Sequence, residues 1–150
     1  EDILKINKNI EYVLSHCFFS EKLKNVKHIR ANTLEYNFDN LNNKFDMVLV
    51  DGDHHYESVF KDTQNVFKIL KNDNSIIVWH DYAISPETIR WNVMLGILDG
   101  CPPEKRNRIF HISNTLCAVY LTEDFITNDL KPNALPNKKF KVHIEMQDLK

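Results

Sequence analysis

The chain has 150 residues, of which 43% are hydrophobic and 27% are charged, and its formal net charge is −2. This composition is typical of one globular domain and argues against disorder, and the charge offers nucleic acid no basic surface. No apolar run approaches the roughly 18 residues of a membrane-spanning helix, and the charged, amphipathic start is unlike a signal peptide. The three cysteines form no C-x-x-C pair. We therefore expect reduced thiols in a cytoplasmic protein that binds neither nucleic acid nor membranes.

Helices and strands alternate in the first half of the chain. Asp2–His16 carries apolar residues at helical spacing and predicts an amphipathic helix. Val26–Ala31 predicts a short strand, and the polar segment 32–43 predicts a loop with a helical turn. Phe45–Val50 is short and apolar, which predicts a buried strand. Tyr56–Leu70 predicts a helix, because its apolar residues recur in steps of three and four.

The second half continues this alternation and then closes with a hairpin. Ser75–Trp79 predicts another buried strand. Ser85-Pro86 predicts the start of a helix, with serine as N-cap and proline at the first helical position, and Gly100 ends it. Arg108–Ser113 and Leu116–Thr122 predict two strands joined by a tight turn.

These elements predict an α/β fold with a Rossmann-like sheet, mostly parallel, with an antiparallel hairpin at one end. We expect residues 1–122 to form one domain. Residues 123–150 predict a loop and a tail strand at Phe140–Met146, where apolar and polar residues alternate.

Five ionisable side chains follow the two predicted buried strands, at the points where these strands end. Asp51, Asp53 and His54 follow the first strand, and His80 and Asp81 follow the second. Parallel strands end at one edge of the sheet, which is where open α/β folds bind ligands. The sequence therefore predicts a site for metal binding, proton transfer or both. The simpler alternative is a set of turn residues and helix caps.

Two segments carry a resemblance to a known family, FDMVLVDGDHHYESVFKD and ILKNDNSIIVWHDY. They resemble the second half of class I S-adenosylmethionine-dependent methyltransferases, in the D-G-D-H and H-D-Y branch that includes metal-assisted sugar O-methyltransferases. The resemblance covers roughly Val26–Leu121 and implies the strand order 3-2-1-4-5-7-6. In this order Val26–Ala31 is strand 3, Phe45–Val50 is strand 4 and Ser75–Trp79 is strand 5.

The first two strands of that order have no counterpart in the pattern, and neither does the glycine-rich cofactor loop. The chain contains only Gly52, Gly96 and Gly100. The missing strands would lie beside strand 4, so we expect these residues to be the carboxyl-terminal portion of a longer protein, inactive alone. Upstream residues, Val26–Ala31 or another chain would then pair with Phe45–Val50, and we favour upstream residues.

The resemblance implies catalytic and metal-binding roles at the sheet edge. Asp51 and Asp81 would hold a magnesium ion, for which carboxylates are suitable ligands. His54 or His80 would remove the proton from the acceptor hydroxyl, since histidine titrates near neutral pH. A ligand role or a purely structural role stays open for both histidines.

The resemblance also implies residues that bind the cofactor S-adenosylmethionine. Asn32 would contact adenine, Asp51 would approach the cofactor's amino group, and Gly52 would let the backbone come close. Asp53 would be a second ligand or a helix cap, and turn residues are the alternative for Asn32 and Gly52.

The implied acceptor is a hydroxyl of a small molecule or sugar, and a homodimer is compatible with the sequence. Two alternative functions stay open. One is a D-x-D metal-dependent glycosyltransferase, because Asp51-Gly52-Asp53 has that form. The other is a non-catalytic remnant or binding module.

Overall fold

The computed structural model describes residues 20, 23–86, 88–124 and 126–127. The chain divides into two compact units, 1–32 and 33–150. The helix predicted at Asp2–His16 and the strand predicted at Phe140–Met146 lie outside the described residues. The predicted loop at 123–139 is described only to residue 127.

In the first unit, the prediction of a strand at Val26–Ala31 is wrong. These six residues have no regular secondary structure, and all of them are exposed. None of the described strands pairs with them. A strand is stable only where its backbone groups and one face find partners, and the short apolar pattern of this segment supplies neither.

The second unit is a mixed α/β fold, as predicted. The predicted helix at Tyr56–Leu70 is present, and so are the predicted strands before and after it in the chain. A 3₁₀ turn lies inside the predicted loop at 32–43. In chain order the elements are a 3₁₀ helix Phe38–Asn40, β1 Met47–Val50, α1 Tyr56–Ile69, β2 Ile76–Trp79, β3 Ala83–Ser85, β4 Thr88–Ile89, α2 Trp91–Gly100, a 3₁₀ helix Pro103–Arg108, β5 Ile109–His111 and β6 Ala118–Tyr120.

The main sheet has the strand order β1-β2-β6-β5. β1 and β2 are parallel, with Val50 opposite Trp79, whereas β6 runs antiparallel to both β2 and β5. The predicted terminal hairpin is confirmed, and Asn114 in its turn has a φ of 61°. The prediction of a mostly parallel sheet is wrong for the described strands, because two of the three pairings are antiparallel. The other edge of β1 pairs with no described strand.

The helix predicted to begin at Ser85-Pro86 begins later, at Trp91. Ser85 lies in β3, which forms a two-stranded hairpin with β4. The backbone N–H of Arg90 then donates to the carbonyl of Tyr82, 2.9 Å away, and closes this hairpin. Pairing across the hairpin satisfies backbone groups that a serine cap would otherwise have served.

The core lies between the sheet and the two helices. Ile77 and Trp79 of β2 are fully buried and pack with Val59 of α1 and Ile97 of α2. The indole N–H of Trp79 donates to the hydroxyl of Thr63 on α1, at 3.1 Å. This hydrogen bond satisfies a buried polar group and fixes α1 over the end of β2.

Two glycines let α2 approach α1 closely. A Cβ on Gly96 would lie 2.9 Å from Cβ of Val59, and one on Gly100 would lie 2.6 Å from the carbonyl oxygen of Phe60. Any larger side chain would therefore force the helices apart. No described helix is long and apolar enough to cross a membrane.

Candidate functional site

The carboxyl ends of β1 and β2 bring the predicted site residues together. The strands run parallel and in register, and the N–H of His80 donates to the carbonyl of Val50 at 2.9 Å. Asp51 therefore leaves the sheet beside His80 and Asp81. Asp81 has a φ of 52°, in the left-handed region that aspartate tolerates better than most residues, and there the chain turns from β2 into the β3–β4 hairpin.

Four side chains at this edge form what we call the acid–histidine cluster: Asp51, His54, His80 and Asp81. Nδ1 of His80 lies 3.2 Å from Oδ1 of Asp51 and 3.3 Å from Oδ1 of Asp81. Nε2 of His54 lies 3.2 Å from Oδ2 of Asp81. The two carboxylates thus contact the same ring nitrogen of His80, and Asp81 also contacts His54.

The cluster has the donor atoms and the access that a divalent cation needs. One ligand atom each from Asp51, His80 and Asp81 lie within 4.8 Å of one another. A small inward movement would bring all three to the metal–ligand distances of about 2.0–2.6 Å that proteins use. The Asp51 side chain is 54% exposed and that of Asp81 is 27% exposed, so solvent reaches the space between them.

Asp53 lies outside this cluster, in the loop three residues before the first residue of α1. Its carboxylate lies 2.7 Å from Nδ1 of His55, accepts from the hydroxyl of Ser58 at 2.9 Å, and accepts from the backbone N–H of His54 at 2.8 Å. The hydrogen bonds with His55 and Ser58 are the main causes that lower the pKa of Asp53 to about 2. The N-cap of α1 is His55, and Asp53 contacts the helix through Ser58. The two alternatives for Asp53, a second ligand or a helix cap, stay predictions.

Comparison with known families adds the class of the protein. A family model described as a methyltransferase domain matches residues 5–82, just over half of the chain. The chain belongs to this family. The matched segment of this methyltransferase domain includes β1, α1, β2 and the whole acid–histidine cluster. Comparisons with curated proteins and with solved structures gave no match.

Gly52 of the methyltransferase domain lies against a side chain that sequence reasoning missed. A Cβ on Gly52 would lie 3.3 Å from Oδ2 of Asp62, which belongs to α1. Asp62 is only 8% exposed, and burial raises the pKa of its carboxyl, while a hydrogen bond from the Thr33 side chain opposes this. The signal available in the sequence was an acid beside the apolar stripe of a helix.

The remaining predicted site residue, Asn32, is exposed and belongs to the first unit. Its contact with the cofactor stays a prediction, as do the roles of Asp51, Gly52 and Asp53 in cofactor binding. Sequence reasoning also assigned nothing to His55, which the structure pairs with Asp53.

Proposed function

We propose that this methyltransferase domain transfers a methyl group from S-adenosylmethionine to a hydroxyl oxygen of a small molecule or sugar, with the help of a magnesium ion. The observation that carries the proposal is the acid–histidine cluster, with three ligand atoms within 4.8 Å of one another at the sheet edge. Family membership supplies the reaction class. The strand order β1-β2-β6-β5 agrees with the last four strands of the class I order, 4-5-7-6.

The donor set of the cluster fits the proposed ion. Carboxylate oxygens from Asp51 and Asp81 are hard ligands of the kind that magnesium prefers, and an imidazole extends the fit to manganese. A bound divalent cation would lower the pKa of the acceptor hydroxyl and orient it for attack on the methyl group. In this proposal Asp51 and Asp81 hold the ion, and His80 fixes the angle between the two carboxylates.

His54 is the side chain best arranged to take the hydroxyl proton. Its Nε2 faces Asp81 at 3.2 Å, so a donated hydrogen bond there leaves Nδ1 as the acceptor atom. His80 is the alternative base, with Nδ1 towards the carboxylates and Nε2 as its acceptor atom. Both imidazoles are about two-fifths exposed, so a substrate hydroxyl could reach either ring.

Cofactor binding belongs to the same proposal. Gly52 is exposed at the end of β1 and has no Cβ, so its backbone could lie against a ligand, beside the carboxylate of Asp51. The edge of β1 away from β2 pairs with no described strand, so strands with further cofactor contacts could lie there. Under this proposal, partner strands beside β1 would carry the glycine-rich loop.

Ligand-induced thermal stabilisation tests the proposal. We expect S-adenosylhomocysteine and Mg²⁺ to raise the melting temperature of the intact protein, and uridine diphosphate not to do so. Stabilisation by uridine diphosphate with Mn²⁺ would instead favour a glycosyltransferase. Stabilisation by neither S-adenosylhomocysteine nor uridine diphosphate would favour a non-catalytic module.

Substitution of the ligands then tests the cluster itself. We expect Asp51→Asn and Asp81→Asn each to lower the affinity for Mg²⁺ and the rate of methyl transfer by about 10- to 100-fold. The affinity is measured from the dependence of thermal stabilisation on the Mg²⁺ concentration. Asp46→Asn is the matched control, because Asp46 is an exposed acid at the opposite end of β1, paired only with Lys71 in the described structure. Equal losses in all three variants would show that the cluster has no special role.

Single histidine variants identify the base. We expect alanine at the catalytic position, His54 or His80, to lower turnover by about 10²- to 10⁴-fold with little effect on folding. Unchanged methyl transfer in both variants would remove histidine from the mechanism.

A further inference from the structure

A buried carboxyl group in the middle of α1 makes an unusual set of contacts. Asp62 is 8% exposed, and its Oδ1 has no hydrogen-bond partner among the described residues. A buried acid with an unsatisfied oxygen destabilises a fold, and an apolar residue of similar size would remove that penalty. Packing alone therefore does not explain an aspartate at this position.

The other oxygen of Asp62 lies against the loop that follows β1. Its Oδ2 would be 3.3 Å from a Cβ on Gly52, so the Asp62 carboxyl lies close to the Gly52 backbone and leaves little room for a side chain there. The Thr33 side chain is hydrogen-bonded to the same carboxyl and lowers its pKa, against the effect of burial. Asp62 thus contacts both Thr33 and the loop.

The same face of α1 holds the next loop residue as well. Ser58 lies one helical turn before Asp62, is itself buried, and donates to Asp53 at 2.9 Å. Two consecutive loop residues, Gly52 and Asp53, are therefore each in contact with a side chain of the same helix. Asp51, which precedes them, has its Oδ1 3.2 Å from His80.

We propose that Asp62 is a positioning residue, which holds the backbone of Gly52 so that the Asp51 carboxylate keeps its place in the acid–histidine cluster. Its consequence for metal binding rests on the proposed function. Asp62 does not touch the reacting atoms, and it acts through the loop. Outer residues of this kind orient metal ligands, and their loss commonly weakens metal affinity or activity by about 10- to 100-fold.

Backbone ¹⁵N relaxation tests the contact without any ligand. In the intact protein we expect Asp62→Ala to lower the order parameter of the Gly52 amide from about 0.85, the value of rigid backbone, to below about 0.6, because the loop loses its support. Thr33→Val removes the hydrogen bond to the Asp62 carboxyl at an exposed position, and we expect a smaller decrease. Asn65→Ala is the matched control, since Asn65 is 4% exposed on α1 and also has a polar atom, Nδ2, with no hydrogen-bond partner among the described residues. It should leave Gly52 unchanged.

Mn²⁺ binding, followed by electron paramagnetic resonance, tests the consequence. We expect Asp62→Ala to weaken Mn²⁺ about 10- to 100-fold while the melting temperature stays close to that of the wild type, since the removed carboxyl was itself unfavourably buried. Asp62→Asn keeps the volume and one acceptor oxygen, and should restore most of the affinity.

The two measurements separate the possible failures. An unchanged Gly52 order parameter in Asp62→Ala would overturn the positioning role, and so would a lower order parameter with unchanged Mn²⁺ affinity. If Asp62→Ala does not fold, an unchanged Gly52 order parameter in Thr33→Val would overturn it. A wild-type protein that binds no Mn²⁺ would refute the metal site, while the relaxation data would still decide whether Asp62 holds the loop.

Discussion

The packing of α2 on α1 gives the sharpest prediction for stability, and Gly100→Ala is the change that tests it. The added Cβ would lie 2.6 Å from the carbonyl oxygen of Phe60 and 2.8 Å from Cβ of Thr63. Both distances are well below ordinary van der Waals contact. The nearest atom is backbone, so no side chain can rotate away, and the two helices must separate.

The magnitude follows from two opposing effects. Overpacking of this kind costs about 1–3 kcal/mol. Alanine favours a helix over glycine by at most about 1 kcal/mol, and less here, because Gly100 is the last residue of α2. We therefore expect a net loss of about 1–2 kcal/mol, which corresponds to a decrease in melting temperature of about 2–8 °C.

Differential scanning calorimetry and urea unfolding would measure this loss. Asn92→Ala is the control on the same helix, because Asn92 is exposed and alanine is the better helix former, so its stability should equal or exceed that of the wild type. If Gly100→Ala is as stable as Asn92→Ala, then the helices do not pack as closely as described.

Three further predictions concern groups away from the cluster. Cys101 is 2% exposed, and burial raises its pKa to about 11. We therefore expect iodoacetamide at pH 8 to modify Cys117 before Cys101. Faster labelling of Cys101, measured by mass spectrometry, would contradict this. Burial lowers the pKa of His111, so the unfolded state binds the proton more tightly. The free energy of unfolding should be highest above about pH 6.5 and should decrease below it. The urea midpoint of His111→Gln should depend less on pH than that of the wild type. The side chains of Met47 and Leu49 are more than half exposed, and the hydrogen bonds of the parallel strands direct their backbone amides away from β2. These amides should therefore exchange with solvent faster than those of β2. Slow exchange would show that another strand pairs with β1.

The strands and the long helix could be predicted because their signals are local. The apolar runs of β1 and β2 are short, and α1 repeats its apolar residues at helical spacing, so each segment has one favourable structure. The start of α2 could not be predicted in this way. Ser85-Pro86 is typical of both a helix N-terminus and a turn, and the hydrogen bond between Arg90 and Tyr82 is a contact that no local pattern contains.

The site divides in the same manner. The cluster followed from the sequence, because the carboxyl ends of adjacent parallel strands must meet at one edge. Asp53 was ambiguous, since it lies in a loop where side chains have no fixed alternation, and the hydrogen bonds with His55 and Ser58 decide its direction. Asp62 was missed because a helical pattern is recognised from the spacing of apolar residues. Such a pattern does not show that an acid beside the apolar stripe is buried.

The geometry of the cluster depends ultimately on the core. A slip of one residue between β1 and β2 would turn every side chain of one strand to the other face of the sheet. Trp79 prevents this slip, because it is 1% exposed and its indole is hydrogen-bonded to Thr63, so it cannot move to the open face without leaving a buried donor unsatisfied. Val50 is fixed opposite Trp79 in this register, and Asp51 and His80 are the next residues along the two strands. The 3.2 Å distance between the Asp51 and His80 side chains therefore depends on the apolar packing beneath them as well as on their own contact.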